Sequence, residues 1–136
     1  MAVLTITAAN VEQASTKRPV VYTASEAITA GAVVFQDSTT AKVGLADNTV
    51  EAEAVAIGIA ITNCSADGDY IVVAPDGAEI VSGGTMVAGT YYHLGAQGAL
   101  QLNSDNISTE YVTGVLRATS TTNGIITLDV TGVQIA

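Results

Sequence analysis

Apolar and polar residues alternate along most of this chain, in short runs that end near glycine, asparagine or aspartate. A period of two is typical of a β-strand that buries one face, and the residues between the runs favour tight turns. Only residues 51–53, after a capping residue at Asp47 or Asn48, favour a helix. The pattern predicts strands over residues 20–23, 31–36, 42–45, 54–61, 70–73, 78–81, 91–94, 100–102, 111–116 and 125–130.

The run over residues 54–61 has the clearest alternation. Val55, Ile57, Ile59 and Ile61 alternate with alanine or glycine. A regular strand would therefore carry one bulky face and one nearly bare face. We expect the bare face to pack closely against another sheet or another subunit.

Turn signals fall at almost every break between these strands. Aspartate, asparagine, glycine and proline are the residues that tight turns require. With about ten residues from one strand to the next, the chain is predicted to be all-β, either a small sandwich of short antiparallel strands or a barrel. The turns are expected at Asp67-Gly68-Asp69, Pro75-Asp76-Gly77, Ser82-Gly83-Gly84 and Asn123-Gly124.

The first eighteen residues differ from the rest. Residues 1–7 alternate like a strand, and a polar stretch then leads to Pro19. We interpret residues 1–18 as an N-terminal arm that orders on a neighbouring molecule or along the domain edge; terminal disorder is the alternative. A length of 136 residues suits one domain, so residues 19–136 are predicted to form a single β domain.

Charge and composition exclude several classes of function. The net charge is −9, and a nucleic-acid binder or an anionic-membrane binder needs a basic face that this chain cannot build. The start of the sequence lacks the pattern of a signal peptide, and no apolar run is long enough to span a bilayer, so synthesis in the cytoplasm is expected. The small alanine-rich side chains and the low charged fraction favour association with other subunits. The four cations are Lys17, Arg18, Lys42 and Arg117.

Residues that could carry chemistry are few. His93 is the only histidine and Cys64 the only cysteine, so neither a two-histidine metal site nor an internal disulfide is possible. Asp67-Gly68-Asp69 lacks the loop spacing and terminal glutamate of a calcium-binding EF-hand, and turn chemistry explains these residues. Tyr91 and Tyr92 could stack on a sugar, although packing is the more ordinary use of such residues. We therefore expect no enzyme, no cofactor and no metal.

Several segments, in their order and spacing, resemble the capsid decoration (cement) proteins of tailed phages. The resemblance covers about residues 20–132 and leaves the arm out. It implies a compact β-barrel or β-tulip domain that binds the outer surface of the expanded phage head. The segments are Glu53-Ala54-Val55-Ala56-Ile57-Gly58-Ile59-Ala60, Asp67-Gly68-Asp69-Tyr70-Ile71-Val72-Val73, Gly89-Thr90-Tyr91-Tyr92-His93-Leu94, Tyr111-Val112-Thr113-Gly114-Val115-Leu116 and Thr127-Leu128-Asp129-Val130.

The resemblance also implies partners and a location. The expected function is that of a structural virion protein on the outer capsid surface, which bridges major capsid subunits and associates with itself, as a trimer in preference to a dimer. The competing hypothesis is a β-rich carbohydrate- or receptor-binding module of a phage fibre or bacterial surface protein. Such modules usually expose tryptophan or tyrosine, and tryptophan is absent. The residues expected at capsid or subunit contacts are Val3, Leu4, Ile6, Lys17, Arg18, Tyr91 and Tyr92.

Overall fold

The computed structural model describes residues 3–136 and is all-β, with no α-helix in that range. Four single-turn 3-10 helices connect strands, at Ala8–Asn10, Glu51–Glu53, Ala96–Gly98 and Asn103–Asp105. The predicted short helix at residues 51–53 is therefore a 3-10 turn. The strands are β1 (Glu12–Gln13), β2 (Val20–Thr23), β3 (Val33–Gln36), β4 (Val43–Leu45), β5 (Ala56–Ala60), β6 (Tyr70–Pro75), β7 (Glu79–Val81), β8 (Tyr91–Leu94), β9 (Leu100–Leu102), β10 (Tyr111–Ala118) and β11 (Asn123–Gln134).

The strands form two antiparallel sheets that do not close into a barrel. The six-stranded sheet has the order β1-β7-β11-β10-β8-β9, and the five-stranded sheet has the order β2-β6-β5-β3-β4. The chain passes from the six-stranded to the five-stranded sheet between β1 and β2, and it returns at the Asp76-Gly77 turn between β6 and β7. The predicted all-β fold of short antiparallel strands is confirmed, in its sandwich form.

The main apolar core lies between the sheets. The five-stranded sheet supplies Val33 and Ile59, and the six-stranded sheet supplies Leu94, Leu116 and Ile126, all completely buried. A second cluster covers the other face of the five-stranded sheet, where the segment after β2 folds back over it. That cluster contains Ala24, Ile28, Val34, Val43, Ala60, Ile71 and Val73.

The prediction that the strand over residues 54–61 has one bulky and one bare face is wrong. Ile59 lies with Ala56 in the core between the sheets, whereas Ile57 packs with Ala60 on the opposite face. The pairing of β3 with β5 shifts register between Val34 and Phe35. This irregularity adds one residue to β5 and reverses the alternation beyond it. Each face of β5 therefore carries both a large and a small side chain.

The predicted turn at Asn123-Gly124 is also wrong. Both residues belong to β11, where Gly124 pairs with Ala118 of β10 and with Ile80 of β7. The hairpin reverses over residues 119–122, and the Ser120 hydroxyl accepts the Asn123 N–H at 3.0 Å. A serine and threonine turn thus takes the place that an asparagine-glycine pair commonly occupies. The expected turns at Asp67-Gly68 and Asp76-Gly77 are present.

Residues 3–18 follow the edge of the domain. The Leu4 N–H donates to the Leu100 carbonyl of β9 at 2.7 Å, and β1 pairs with β7 through Glu12 and Val81. The segment therefore bonds to both ends of the six-stranded sheet. Val11 is buried, so part of what the sequence suggests is a separate arm belongs to the interior of the domain. Among residues 3–136 no helix has the length and hydropathy that crossing a bilayer requires.

Candidate interaction surface

The N-terminal segment crosses directly over Gly83 and Gly84, and we call this pair the glycine seat. A Cβ atom on Gly83 would lie 2.6 Å from the Thr7 carbonyl oxygen, and one on Gly84 would lie 2.6 Å from that of Thr5. The Thr7 N–H also donates to the Gly83 carbonyl at 2.8 Å. Backbone can approach backbone this closely only where no side chain intervenes. The pair is thus a packing feature that holds residues 3–11 in place.

An open cavity of about 280 Å³ lies beside this crossing. Its lining comes from the N-terminal segment, the loop before β8, β8 itself and the end of β9. Val87 is 68% exposed, Val3 is 49% exposed and Leu102 is 41% exposed. We call this cavity the apolar groove; it is lined by Val3, Leu4, Val87, Thr90, Tyr92 and Leu102.

Local contacts fix the groove in shape. Tyr92 is buried, and its hydroxyl accepts the Val87 N–H at 3.1 Å, which anchors the loop before β8. On the other side, Val3 bridges to Gln101 in the strand pairing and Leu4 bonds to β9. The side chains of Val3, Val87 and Leu102 are thus presented to solvent from backbone that is held by hydrogen bonds.

The groove continues into a larger cleft of about 660 Å³, with which it shares Val3 and Leu4. Threonine supplies much of the added lining, together with the glycine seat. Among residues 3–136 no charged side chain lines either cavity, although the protein carries a net charge of −9. Charged residues are depleted at the centre of protein–protein interfaces, so an uncharged surface on an acidic protein is a candidate site for binding another protein. The added residues are Thr5, Thr7, Asn10, Val81, Gly83, Gly84, Thr85 and Thr122.

The structure brings three of the seven expected contact residues together. Val3, Leu4 and Tyr92 line the groove. Ile6 is partly buried against the core, and its Cγ2 methyl group lies 2.6 Å from where a Cβ on Gly31 would be. The other three lie outside the groove: Lys17, Arg18 and Tyr91.

Tyr91 and His93 lie on the opposite face of β8 from Tyr92. Their rings contact each other with centroids 4.9 Å apart, and the Arg117 guanidinium lies 4.6 Å from the centre of the Tyr91 ring. The Tyr91 hydroxyl donates to the Thr127 carbonyl. Burial raises the pKa of Tyr91 and lowers the pKa of His93, because in both cases it disfavours the charged form. This group packs a sheet face and presents no acid or base to a cavity.

Sequence reasoning missed Val87, Thr90 and Leu102. Val87 follows the buried Met86 and stands exposed in a loop, where a single valine carries no periodic signal. In β9, alternation would place the leucines inside and Gln101 outside, yet Gln101 is buried and Leu102 is exposed. Alternation in β9 therefore predicts a buried Leu102, whereas the structure has Leu102 exposed at the groove.

An exposed aromatic side chain lies at the start of β6. Tyr70 is 77% exposed and borders a shallow polar cleft with Asn63, Ser65 and Asp69. The Asp69 carboxylate accepts the N–H groups of Ser65 and Ala66, and these bonds hold its pKa below the ordinary value. Its hydrogen-bonding capacity is thus largely used within the turn.

Within residues 3–136, no three histidine, cysteine, aspartate or glutamate side chains are grouped so that they could hold an ion together. Cys64 is half-buried, and its Sγ lies 3.3 Å from the Glu26 carbonyl oxygen.

Comparison with known proteins assigns no family, because no protein-family model matches the chain and no curated protein is significantly similar to it.

Proposed function

We propose that this protein is a structural virion component, a decoration or cement protein of a tailed-phage head. It binds the outer surface of the expanded capsid and bridges neighbouring major capsid subunits. The observation that carries the proposal is the uncharged apolar groove on a strongly acidic β domain. Such a surface suits a protein that works by contact.

The groove supplies the contact physics that a cement function needs. Val3, Val87 and Leu102 expose apolar surface from backbone that is held by hydrogen bonds or strand pairing, so binding requires little ordering of the chain. Burial of that surface favours the assembled lattice over the separated subunits. A protein that binds only the expanded capsid stabilises it by mass action against the pressure of packaged DNA.

Association of the protein with itself would strengthen weak contacts. Several copies in one oligomer place several grooves on the lattice together, and avidity then exceeds the affinity of each groove. We expect a homotrimer in preference to a dimer. Sedimentation velocity at micromolar concentration measures this directly, and a monomer under those conditions would restrict assembly to the capsid surface.

Co-sedimentation with purified heads tests the function itself. The protein is mixed with expanded, DNA-free heads and with unexpanded heads of the phage that encodes it. We expect saturable binding to expanded heads only, and retention through a wash in 1 M NaCl, because contacts without charge are little screened by salt. Absence of binding to expanded heads would reject the proposal. Loss in the salt wash would instead attribute attachment to charged side chains.

A carbohydrate- or receptor-binding module is the second candidate, and Tyr70 is the observation that favours it. The exposed ring stands beside the polar side chains of Asn63 and Ser65, a combination that can stack on a sugar and bond its hydroxyls. Tyr91 and Tyr92 are unsuited to that role, since the first lies beneath Arg117 and the second is buried. Glycan-array binding that is lost in Tyr70→Ala would favour this function.

A further inference from the structure

A polar corner is buried beneath the loop that joins β9 to β10. Asn48 and Gln101 are 0% and 1% exposed, and Glu110 is also buried. Polar groups in such positions destabilise a fold unless each finds a partner. We define the polar corner by Asn48, Gln101, Asp105, Asn106 and Glu110.

The donors of this corner are used within it. Gln101 Nε2 and Asn48 Nδ2 both donate to Asn106 Oδ1, the latter at 3.4 Å. Asn106 Nδ2 donates to Asn103 Oδ1 at 3.0 Å. The two buried carboxamides thus meet at one oxygen atom, and their nitrogens are satisfied there.

Three oxygen atoms of the corner have no hydrogen-bond partner and are buried. They are Asn48 Oδ1, Gln101 Oε1 and Asp105 Oδ2. The Gln101 oxygen lies over Gly95, 2.9 Å from where a Cβ would be, and the Gly95 carbonyl accepts the Asn48 N–H at 3.3 Å. The oxygens of Asn48 and Gln101 therefore belong to one small region of the fold.

Within the described range 3–136, no lysine or arginine side chain satisfies these oxygens. Lys42 bonds to Asp67, Arg117 lies over Tyr91, and Lys17 approaches Gly77. Arg18, the remaining cation, is exposed in the N-terminal segment. Nearby Glu110 accepts the Ile107 N–H and adds a second carboxylate to the same loop. The corner is thus rich in acceptors and contains no positive charge.

We propose that the polar corner binds one calcium ion. Calcium takes six to eight oxygen ligands, water among them, and accepts carboxylate and amide oxygens together. The corner offers two free amide oxygens, of Asn48 and Gln101, and one free carboxylate oxygen, of Asp105. Softer metals prefer imidazole or thiolate. His93 lies opposite Gln101 in the strand pairing, but its ring contacts Tyr91 and its Nδ1 faces the Tyr91 carbonyl.

Calcium binding is measurable on the isolated protein, so its outcome is independent of capsid binding. The protein is stripped with EDTA and then scanned thermally in 5 mM CaCl₂, in 5 mM MgCl₂ and without metal. We expect calcium to raise Tm by roughly 5 °C or more and magnesium to raise it less. Equilibrium dialysis should find one calcium ion per chain.

Two variants and a control assign the site. Asp105→Asn should weaken calcium binding at least about tenfold without lowering Tm in EDTA, while Glu51→Gln, an exposed carboxylate elsewhere, should leave binding unchanged. Gln101→Glu adds a buried charge, so it should lower Tm in EDTA and recover it in calcium. Absence of stoichiometric calcium binding to the wild-type protein, as expected if buried water satisfies these oxygens, would overturn the proposal. Equal weakening by Asp105→Asn and Glu51→Gln would overturn it as well.

Discussion

The N-terminal crossing and the polar corner lie beside the same strand, β9, and are held together in opposite ways. At the crossing, Leu4 and Ile6 pack on the apolar core and the chain passes over glycines without a side chain between. At the corner, Gln101 is surrounded by hydrogen-bonding groups. Apolar contact tolerates imperfect geometry, whereas a buried polar group needs a specific partner. The crossing is therefore suited to a contact surface, and the corner to a defined ligand.

Removal of the N-terminal segment should have the largest effect. Deleting residues 1–14 removes the buried Val11, the packed Leu4 and Ile6, and strand β1. We expect a loss of about 4 kcal/mol in the free energy of unfolding, which corresponds to a fall of roughly 12 °C in Tm. The double variant Lys17→Ala/Arg18→Ala, in the exposed part of the same segment, serves as control. A deletion variant that melts within about 3 °C of the wild type would place the segment outside the fold.

Reciprocal substitutions on β10 compare the two kinds of packing on one strand. Val115 is buried in the apolar core, and two residues earlier the buried Thr113 hydroxyl donates to the Ala54 carbonyl at 2.7 Å. Val115→Thr should cost about 2 kcal/mol, because its hydroxyl has no partner there. Thr113→Val should cost about 1 kcal/mol through the lost bond. Urea unfolding measures both.

A matched control for that comparison is Thr131→Val. The Thr131 hydroxyl also donates to a carbonyl, that of Val112 at 2.6 Å, but the residue is exposed. Water replaces the lost bond there, so the expected change is below about 0.5 kcal/mol. A change as large as that of Thr113→Val would mean that burial does not set the energy of these bonds.

Acid should destabilise the fold in part through Asp47. Burial alone would raise the pKa of Asp47, but hydrogen bonds from Thr49 and Gln97 outweigh it and hold the pKa below its ordinary value. The folded state then binds this proton less readily than the unfolded state. The stabilisation is present above about pH 4 and is lost as the pH falls further.

The variant Asp47→Asn isolates this effect. At pH 7 it should unfold about 1 kcal/mol more easily than the wild type, and the difference should narrow towards pH 3. Urea unfolding at the two pH values measures the change. Glu51→Gln removes a carboxylate that is exposed, and its difference from the wild type should stay small at both. A constant difference for Asp47→Asn would show that its charge is not involved.

The sequence predicts the strands well because alternation is a local property. Residues 91–94 and 100–102 are strands with the predicted bounds. What it could not predict depends on distant partners. The register shift opposite Val34 reverses the faces of β5, and Gly83-Gly84 acts as a seat only because Thr5 and Thr7 cross it.

The candidate site was predictable only in part, for the same reason. Alternation separates Tyr91 from Tyr92 but does not say which of them is buried. The burial of Gln101 depends on Asn48 and Asn106, which lie on other segments of the chain. No sequence pattern marks Val87 as a surface residue, because it is a single valine in a loop.

The most direct measurement compares two charge insertions for binding to expanded heads. Val87→Asp places a carboxylate in the apolar groove, and Val21→Asp places one on β2 of the other sheet, where Val21 is also exposed. Both variants should fold with nearly the wild-type Tm. We predict that Val87→Asp weakens binding at least about tenfold, since a carboxylate would be buried without a partner, while Val21→Asp binds within about twofold of wild type. Wild-type binding by Val87→Asp, or equal weakening by Val21→Asp, would contradict the assignment of the groove as the capsid-binding surface.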